Sequence, residues 1–211
     1  HMSCPKCGQS IAAVQALRDV VCPGCGARLG VTPARETAAV DEAFAGLGRM
    51  TPPIGAGAAP PPAPPDAGDA MGHNLRGVAF CNQGNRKQAL IEFNQALRLD
   101  PKLAQAYNNR GFVLADGKAY DPAIADFNRA IALNPQFAAA FNNRGLAYMA
   151  RKEYERAYTD FDAALRFDPA LTLAYSNRGF ASSALGRYQA AVADFSEALR
   201  RVPTLANAFH N

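Results

Sequence analysis

The sequence predicts a mainly α fold: a solenoid of paired helices, preceded by a small cysteine-bound module. Three observations carry that prediction. Two Cys-Pro-x-Cys-Gly pairs lie near the start, a four-residue phrase recurs every 34 residues, and proline returns at one place in each period. The phrase reads Asn74-Leu75-Arg76-Gly77, Asn108-Asn109-Arg110-Gly111, Asn142-Asn143-Arg144-Gly145 and Ser176-Asn177-Arg178-Gly179. A period of this length suits a helix-turn-helix unit, which covers its apolar face only by stacking on copies of itself. Such stacks build an extended binding surface and not a closed catalytic pocket.

Residues 1–33 form the first expected domain. Cys4-Pro5-Lys6-Cys7-Gly8 and Cys22-Pro23-Gly24-Cys25-Gly26 are two copies of one knuckle, fourteen residues apart. Four thiolates in two such pairs can close a tetrahedron, the arrangement that structural zinc prefers, with Cys4, Cys7, Cys22 and Cys25 as ligands. Gly8 and Gly26 permit the tight turn that points backbone N–H groups at sulfur. Val20-Val21 and Leu29-Gly30-Val31 read as strand edges around the knuckles. The segment resembles a zinc ribbon of the short bacterial kind, a β-hairpin and knuckle module. With so few apolar residues it cannot fold on its own core, so metal binding supplies most of its folding free energy. Four cysteine ligands leave no open coordination position, which argues against a catalytic metal. Iron in a rubredoxin-like site is the minor alternative.

Residues 34–50 allow a short amphipathic helix, with Val40, Phe44 and Leu47 on one face and Glu36, Asp41 and Glu42 polar. Residues 51–69 follow as a linker rich in proline, alanine and glycine, without core-forming residues. Such a linker spans about 25 Å as a coil and up to about 60 Å in a polyproline conformation.

Residues 70–211 hold the repeats, 70–103, 104–137, 138–171 and 172–205, and the start of a fifth at 206–211. No insertion disturbs the register. Position 8 is Gly77, Gly111, Gly145 and Gly179, and position 20 is Ala89, Ala123, Ala157 and Ala191. Position 24 is Phe93, Phe127, Phe161 and Phe195. Position 27 is Ala96, Ala130, Ala164 and Ala198, and position 32 is Pro101, Pro135, Pro169 and Pro203. These residues resemble the tetratricopeptide repeat. Read physically, positions 4, 7, 8 and 11 share an arc of roughly 100° on the first helix of each repeat, and positions 20, 24 and 27 share a face of the second. Small residues there let helix axes approach, and the phenylalanine fills the space beside them. Proline at position 32 ends the second helix, where Asp100, Asn134 and Asp168 serve the turn. Arginine at position 7 departs from the leucine common in the family. A carboxylate at position 23, Glu92, Asp126, Asp160 or Asp194, is its expected partner in an ion pair repeated up the solenoid, each worth about 0.2–1 kcal/mol if exposed.

On the opposite face of the first helices, positions 2, 5, 6, 9, 12 and 13 share an arc of about 120°. The resemblance implies that this face lines a concave groove where partner segments bind. It carries Asn74, Asn108, Asn142 and Ser176 at position 5, and Leu75, Asn109, Asn143 and Asn177 at position 6. Position 9 is apolar: Val78, Phe112, Leu146 and Phe180. Asp116 is the single charge. Asparagine offers one acceptor and two donors, which suits the alternating groups of an extended backbone. The candidate peptide-binding set is therefore Asn74, Asn108, Asn109, Phe112, Asn142, Asn143, Leu146, Asn177 and Phe180, with a purely structural role for the asparagines as the competing reading. Family members that grip a partner's terminal carboxylate use Lys and Arg at positions 2, 5 and 6. None stands there in this chain, so no carboxylate clamp is expected.

Composition excludes several classes. The net charge of +4 divides as +2 over residues 1–30, −3 over 31–69 and +5 over 70–211, well short of a nucleic-acid footprint. No aromatic residue lies within 1–30 to stack on a base. The absence of a basic-then-apolar leader and of an apolar run of about 18 residues points to a cytoplasmic chain. His73 and His210 are isolated, no phosphate-cradling loop appears, and Cys81 has no activating base, so catalysis is not expected. The leading expectation is an adaptor that binds an extended, largely uncharged protein segment. Its partner is another protein, its own connector around Phe44, Leu47, Met50 and Ile54, or another copy of the chain in a homo-oligomer. The alternative is a factor whose ribbon touches DNA or RNA while the repeats recruit protein.

Overall fold

The computed structural model describes residues 69–201 together with four short strands, β1 (Met2–Ser3), β2 (Ser10–Ile11), β3 (Val20–Val21) and β4 (Arg28–Leu29). The chain divides into two units, His1–Leu47 and Gly48–Asn211. The four ribbon cysteines, the connector helix expected within 34–50, the linker up to residue 68 and the fifth-repeat residues 206–211 lie outside the described residues.

In the first unit the strands form two antiparallel hairpins in one register. Met2 pairs with Ile11 and Ser3 with Ser10. Val20 pairs with Leu29 and Val21 with Arg28. Each hairpin thus closes on six residues, 4–9 in one and 22–27 in the other, and each closed segment begins with a Cys-Pro-x-Cys-Gly sequence. Strand edges were legible at Val20-Val21 and Leu29. The β1–β2 hairpin, with the polar Ser3 and Ser10 at its inner pair, was not among the expected strand edges.

In the second unit the described residues form eight helices: α1 (Ala70–Asn82), α2 (Arg86–Leu99), α3 (Ala104–Asp116), α4 (Tyr120–Leu133), α5 (Ala138–Ala150), α6 (Tyr154–Phe167), α7 (Thr172–Ala184) and α8 (Tyr188–Arg201). Each packs on its neighbours in sequence, and α1, α3, α5 and α7 also touch in succession. Every repeat is held by the same contact. Phe93, Phe127 and Phe161 are fully buried, and a Cβ built on the position 8 glycine of the same repeat would lie 2.5, 2.7 or 2.6 Å from the ring. No side chain larger than hydrogen fits there without displacing a ring that has nowhere to go. Ala106, Ala140 and Ala174 at position 3 complete the seam to the preceding repeat, each with no exposed surface. Phe195 is only half-buried and Val192 is 62% exposed, because no described helix packs on that side of α8.

The two kinds of turn have different chemistry. After each of α2, α4 and α6, the position 31 residue adopts an extended or near-extended backbone, as a following proline requires. Its side-chain oxygen then accepts from the backbone N–H two residues on: Asp100 from Lys102 at 2.8 Å, Asn134 from Gln136 at 3.1 Å, and Asp168 from Ala170 at 2.9 Å. Within each repeat the chain turns through a left-handed residue at position 15. Gly84 and Gly186 occupy it at φ 74°, and Lys118 and Lys152 at φ 64° and 62°. A lysine there carries the Cβ penalty that glycine avoids, about 1 kcal/mol.

Candidate protein-binding groove

The polar residues of the recurring phrase make two ladders. The first joins successive first helices. Asn109 Nδ2 donates to Asn74 Oδ1 at 3.0 Å, Asn143 Nδ2 to Asn108 Oδ1 at 3.1 Å, and Asn177 Nδ2 to Asn142 Oδ1 at 2.9 Å. Asn108 Nδ2 donates in turn to Asn109 Oδ1 at 3.3 Å, so one chain of amides runs from Asn143 to Asn74 across α5, α3 and α1. All six side chains are at most 2% exposed. The helical wheel of a single helix puts positions 5 and 6 on the groove face as peptide ligands. The structure instead covers them with the neighbouring first helices. Alanine at position 3 lets those helices approach until the two amides meet, and a buried amide needs such a partner. Asn74, Asn108, Asn109, Asn142, Asn143 and Asn177 therefore stand behind the groove surface and set the seam between repeats.

The second ladder joins first helices to second helices. Arg110 is bidentate on Asp126 (2.7 and 2.7 Å), Arg144 on Asp160 (2.8 and 2.7 Å) and Arg178 on Asp194 (3.0 and 2.7 Å). The expected ion pair is present, and it has a third arm that the sequence pattern did not reveal. The remaining guanidinium nitrogen of each arginine donates at 2.7 Å to position 25 of the preceding repeat, Asn94, Asn128 or Asp162. Position 25 varies in identity, which hides its common role. The aspartates' hydrogen bonds hold Arg110 and Arg178 above the ordinary guanidinium range. Burial pushes the Asp160 carboxyl up, and Arg144 pulls it back only in part. Among the described residues no repeat precedes the first to supply the third arm. There Arg76 shares Glu92 with His73, whose Nδ1 lies 2.8 Å from the carboxylate.

What reaches solvent on the groove face is mixed: Met71, Asn82, Asp116 and Ala150 are exposed, and Gln105, Leu173 and Ser183 are half-buried. Val78 and Leu146 are buried at position 9, whereas Phe112 and Phe180 are half-buried, the latter with its ring 5.0 Å from that of Phe195. Ala139 and Ala150 line the third repeat. Asp116 is exposed and bonded to Arg86. Cys81 is half-buried, and burial, reinforced by Asp116, pushes its thiol up to about 11. A thiol so protonated at neutral pH is no nucleophile.

Models of the families described as "TPR repeat" and "Tetratricopeptide repeat" match residues 77–117 and 113–150, and 138–171 and 173–204, respectively. Together they span more than half of the chain, and the match at 138–171 coincides with the third repeat. The chain belongs to the tetratricopeptide repeat family. No curated protein sequence matches it. Among solved structures, the tetratricopeptide domain is similar to the crystal structure of MamA, with 26% identity and a TM-score of 0.60 over 67% of this chain and 83% of that one. It is similar also to the first tetratricopeptide domain of Spaghetti (RPAP3) bound to the HSP90 peptide SRMEEVD, with 26% identity and a TM-score of 0.55 over 57% of this chain and 96% of that one. Pseudomonas aeruginosa pilF shares the fold at 24% identity and a TM-score of 0.60, over 64% of this chain and 62% of that one. Among the described residues, no helix is long and apolar enough to cross a membrane.

Proposed function

We propose that this protein is an adaptor whose tetratricopeptide groove binds an extended, largely uncharged polypeptide segment. One observation carries the reading: the groove face of four successive first helices bears a single charge, Asp116, and that charge is paired with Arg86. A peptide laid along it meets the half-buried rings of Phe112 and Phe180 over a floor stiffened by the asparagine ladder. The bound RPAP3 domain offers a contrast, since its peptide SRMEEVD is acidic. Among the described residues no cation stands at a groove-face position to neutralise that charge, and Arg86 is already paired with Asp116. Calorimetry with both peptide classes tests the proposal: uncharged extended peptides bind, and SRMEEVD does not. Tight binding of SRMEEVD would remove the reading. Substituting the asparagines is a poor probe of ligand contact, because it damages the seams. Phe112→Leu and Phe180→Leu change the half-buried rings while keeping an apolar side chain where Phe112 packs on the Val78, Phe93 and Val113 cluster and Phe180 on Phe195.

The N-terminal unit is read as a structural zinc module held by Cys4, Cys7, Cys22 and Cys25. Its support is the pair of hairpins in matching register, with a Cys-Pro-x-Cys-Gly sequence directly after the first strand of each. Zinc bound there supplies folding free energy and a rigid cross-link, with no open position for chemistry. One zinc per chain by native mass spectrometry, lost on Cys7→Ser, is the expected result. An iron content instead would replace this reading with the rubredoxin-like one.

A further inference from the structure

The groove surface is not uniform along its length. At position 9 the accessible residues are the aromatic ones of the second and fourth repeats, Phe112 and Phe180, while Leu146 between them is 8% exposed. Around Leu146 the third repeat exposes only the small side chains of Ala139 and Ala150, and Met149 is buried. Two aromatic shelves therefore flank a shallow stretch. Neighbouring first helices in hydrogen-bond contact lie about 8–10 Å apart, which puts the shelves about 16–20 Å from one another. An extended chain advances about 3.1–3.4 Å per residue, so five or six residues cover that span. Side chains return to one face every two residues in a strand and every three in polyproline II, and six satisfies both.

Resting on the reading of the groove as a site for uncharged extended segments, we infer that its occupant is a polypeptide with two apolar side chains six residues apart and small uncharged residues between them. One side chain seats against Phe112 and the other against Phe180, and the intervening residues cross the shelf of Ala139 and Ala150. Charge complementarity sets the partner's character: among the groove-face residues only Asp116 is charged, and Arg86 already neutralises it. In the chain's own connector Phe44 and Met50 are six residues apart, but Leu47 and Arg49 lie between them, so that segment does not meet the requirement for small uncharged intervening residues.

The test is calorimetry on the full, metal-loaded chain with acetylated and amidated peptides of Thr, Pro and Ala bearing two leucines three, six or nine residues apart. The six-residue spacing is expected to bind about tenfold tighter than the other two. Phe180→Leu is expected to narrow that preference while the helical circular dichroism stays unchanged. Equal affinity at all spacings would overturn the two-shelf inference and leave the uncharged-segment reading standing. Failure of every uncharged peptide, with or without binding of SRMEEVD, would overturn both. Sedimentation run alongside distinguishes a further occupant: a dimer that the six-spaced peptide cannot dissociate would assign the face to a second copy and overturn the inference.

Discussion

The two ladders start from adjacent residues of the same phrase and solve different problems. The asparagine ladder is neutral, dry and linked by single hydrogen bonds, and it joins first helix to first helix. The arginine ladder is charged and bidentate, keeps its guanidinium groups about a fifth to a quarter exposed, and ties each first helix to two second helices. Their placement follows from solvation. A neutral amide can be buried outright if one partner meets it, whereas a guanidinium retains part of its hydration unless its penalty is matched by several acceptors. The comparison teaches that consecutive polar residues on one helix can be spent on separate seams, with the drier seam given to the weaker dipole.

The comparison breaks most readily at Asp160. Asp160→Ala strands Arg144 among half-buried surroundings, and a loss of about 2–3 kcal/mol is expected in urea unfolding, since hydrogen bonds to charged groups are worth more than neutral ones. Asn143→Ala leaves Asn108 Oδ1 without its donor in a dry seam and should cost about 1–2 kcal/mol. Salt separates the two. Raising sodium chloride to 1 M is expected to shrink the Asp160→Ala deficit and leave that of Asn143→Ala unchanged, because only the charged rung is screened. Equal salt responses would erase the distinction drawn between the ladders. Outside both ladders, Lys118→Gly removes a left-handed lysine from a repeat turn and should stabilise the domain by about 0.5–1 kcal/mol in the same assay. The smallest effect concerns Cys81. With its thiol pushed up to about 11, the thiolate fraction at pH 8 is about a hundredth of that of a thiol titrating at 9, so site-resolved mass spectrometry should find alkylation slower in proportion. Alkylation at the rate of a free thiol would show that the first repeat opens at Cys81.

Much of the fold was legible because the chain repeats it. Gly77, Gly111, Gly145 and Gly179 announced a close approach, and the structure puts a phenylalanine ring against each. Asp100, Asn134 and Asp168 before proline announced their turns. The left-handed residue at position 15 escaped notice because lysine fills it twice, and lysine carries no signal for positive φ. Position 25 escaped for a related reason: Asn94, Asn128 and Asp162 share a role that hydrogen-bonding geometry defines and residue identity does not.

By itself the sequence determined the period, the helix pairing, the core residues of each repeat and the arginine–carboxylate pairs, all of which depend on spacing within one repeat. Only the tertiary structure decided what the asparagines do. A helical wheel records the direction of a side chain and nothing of the helix that comes to rest beside it. Asn109 and Asn143 point toward the groove side of their own helices, yet the approach of neighbouring helices turns that arc into an interior seam. Burial between repeats is a property of the stack, and it leaves Phe112 and Phe180 half-buried at position 9 while Val78 and Leu146 are buried.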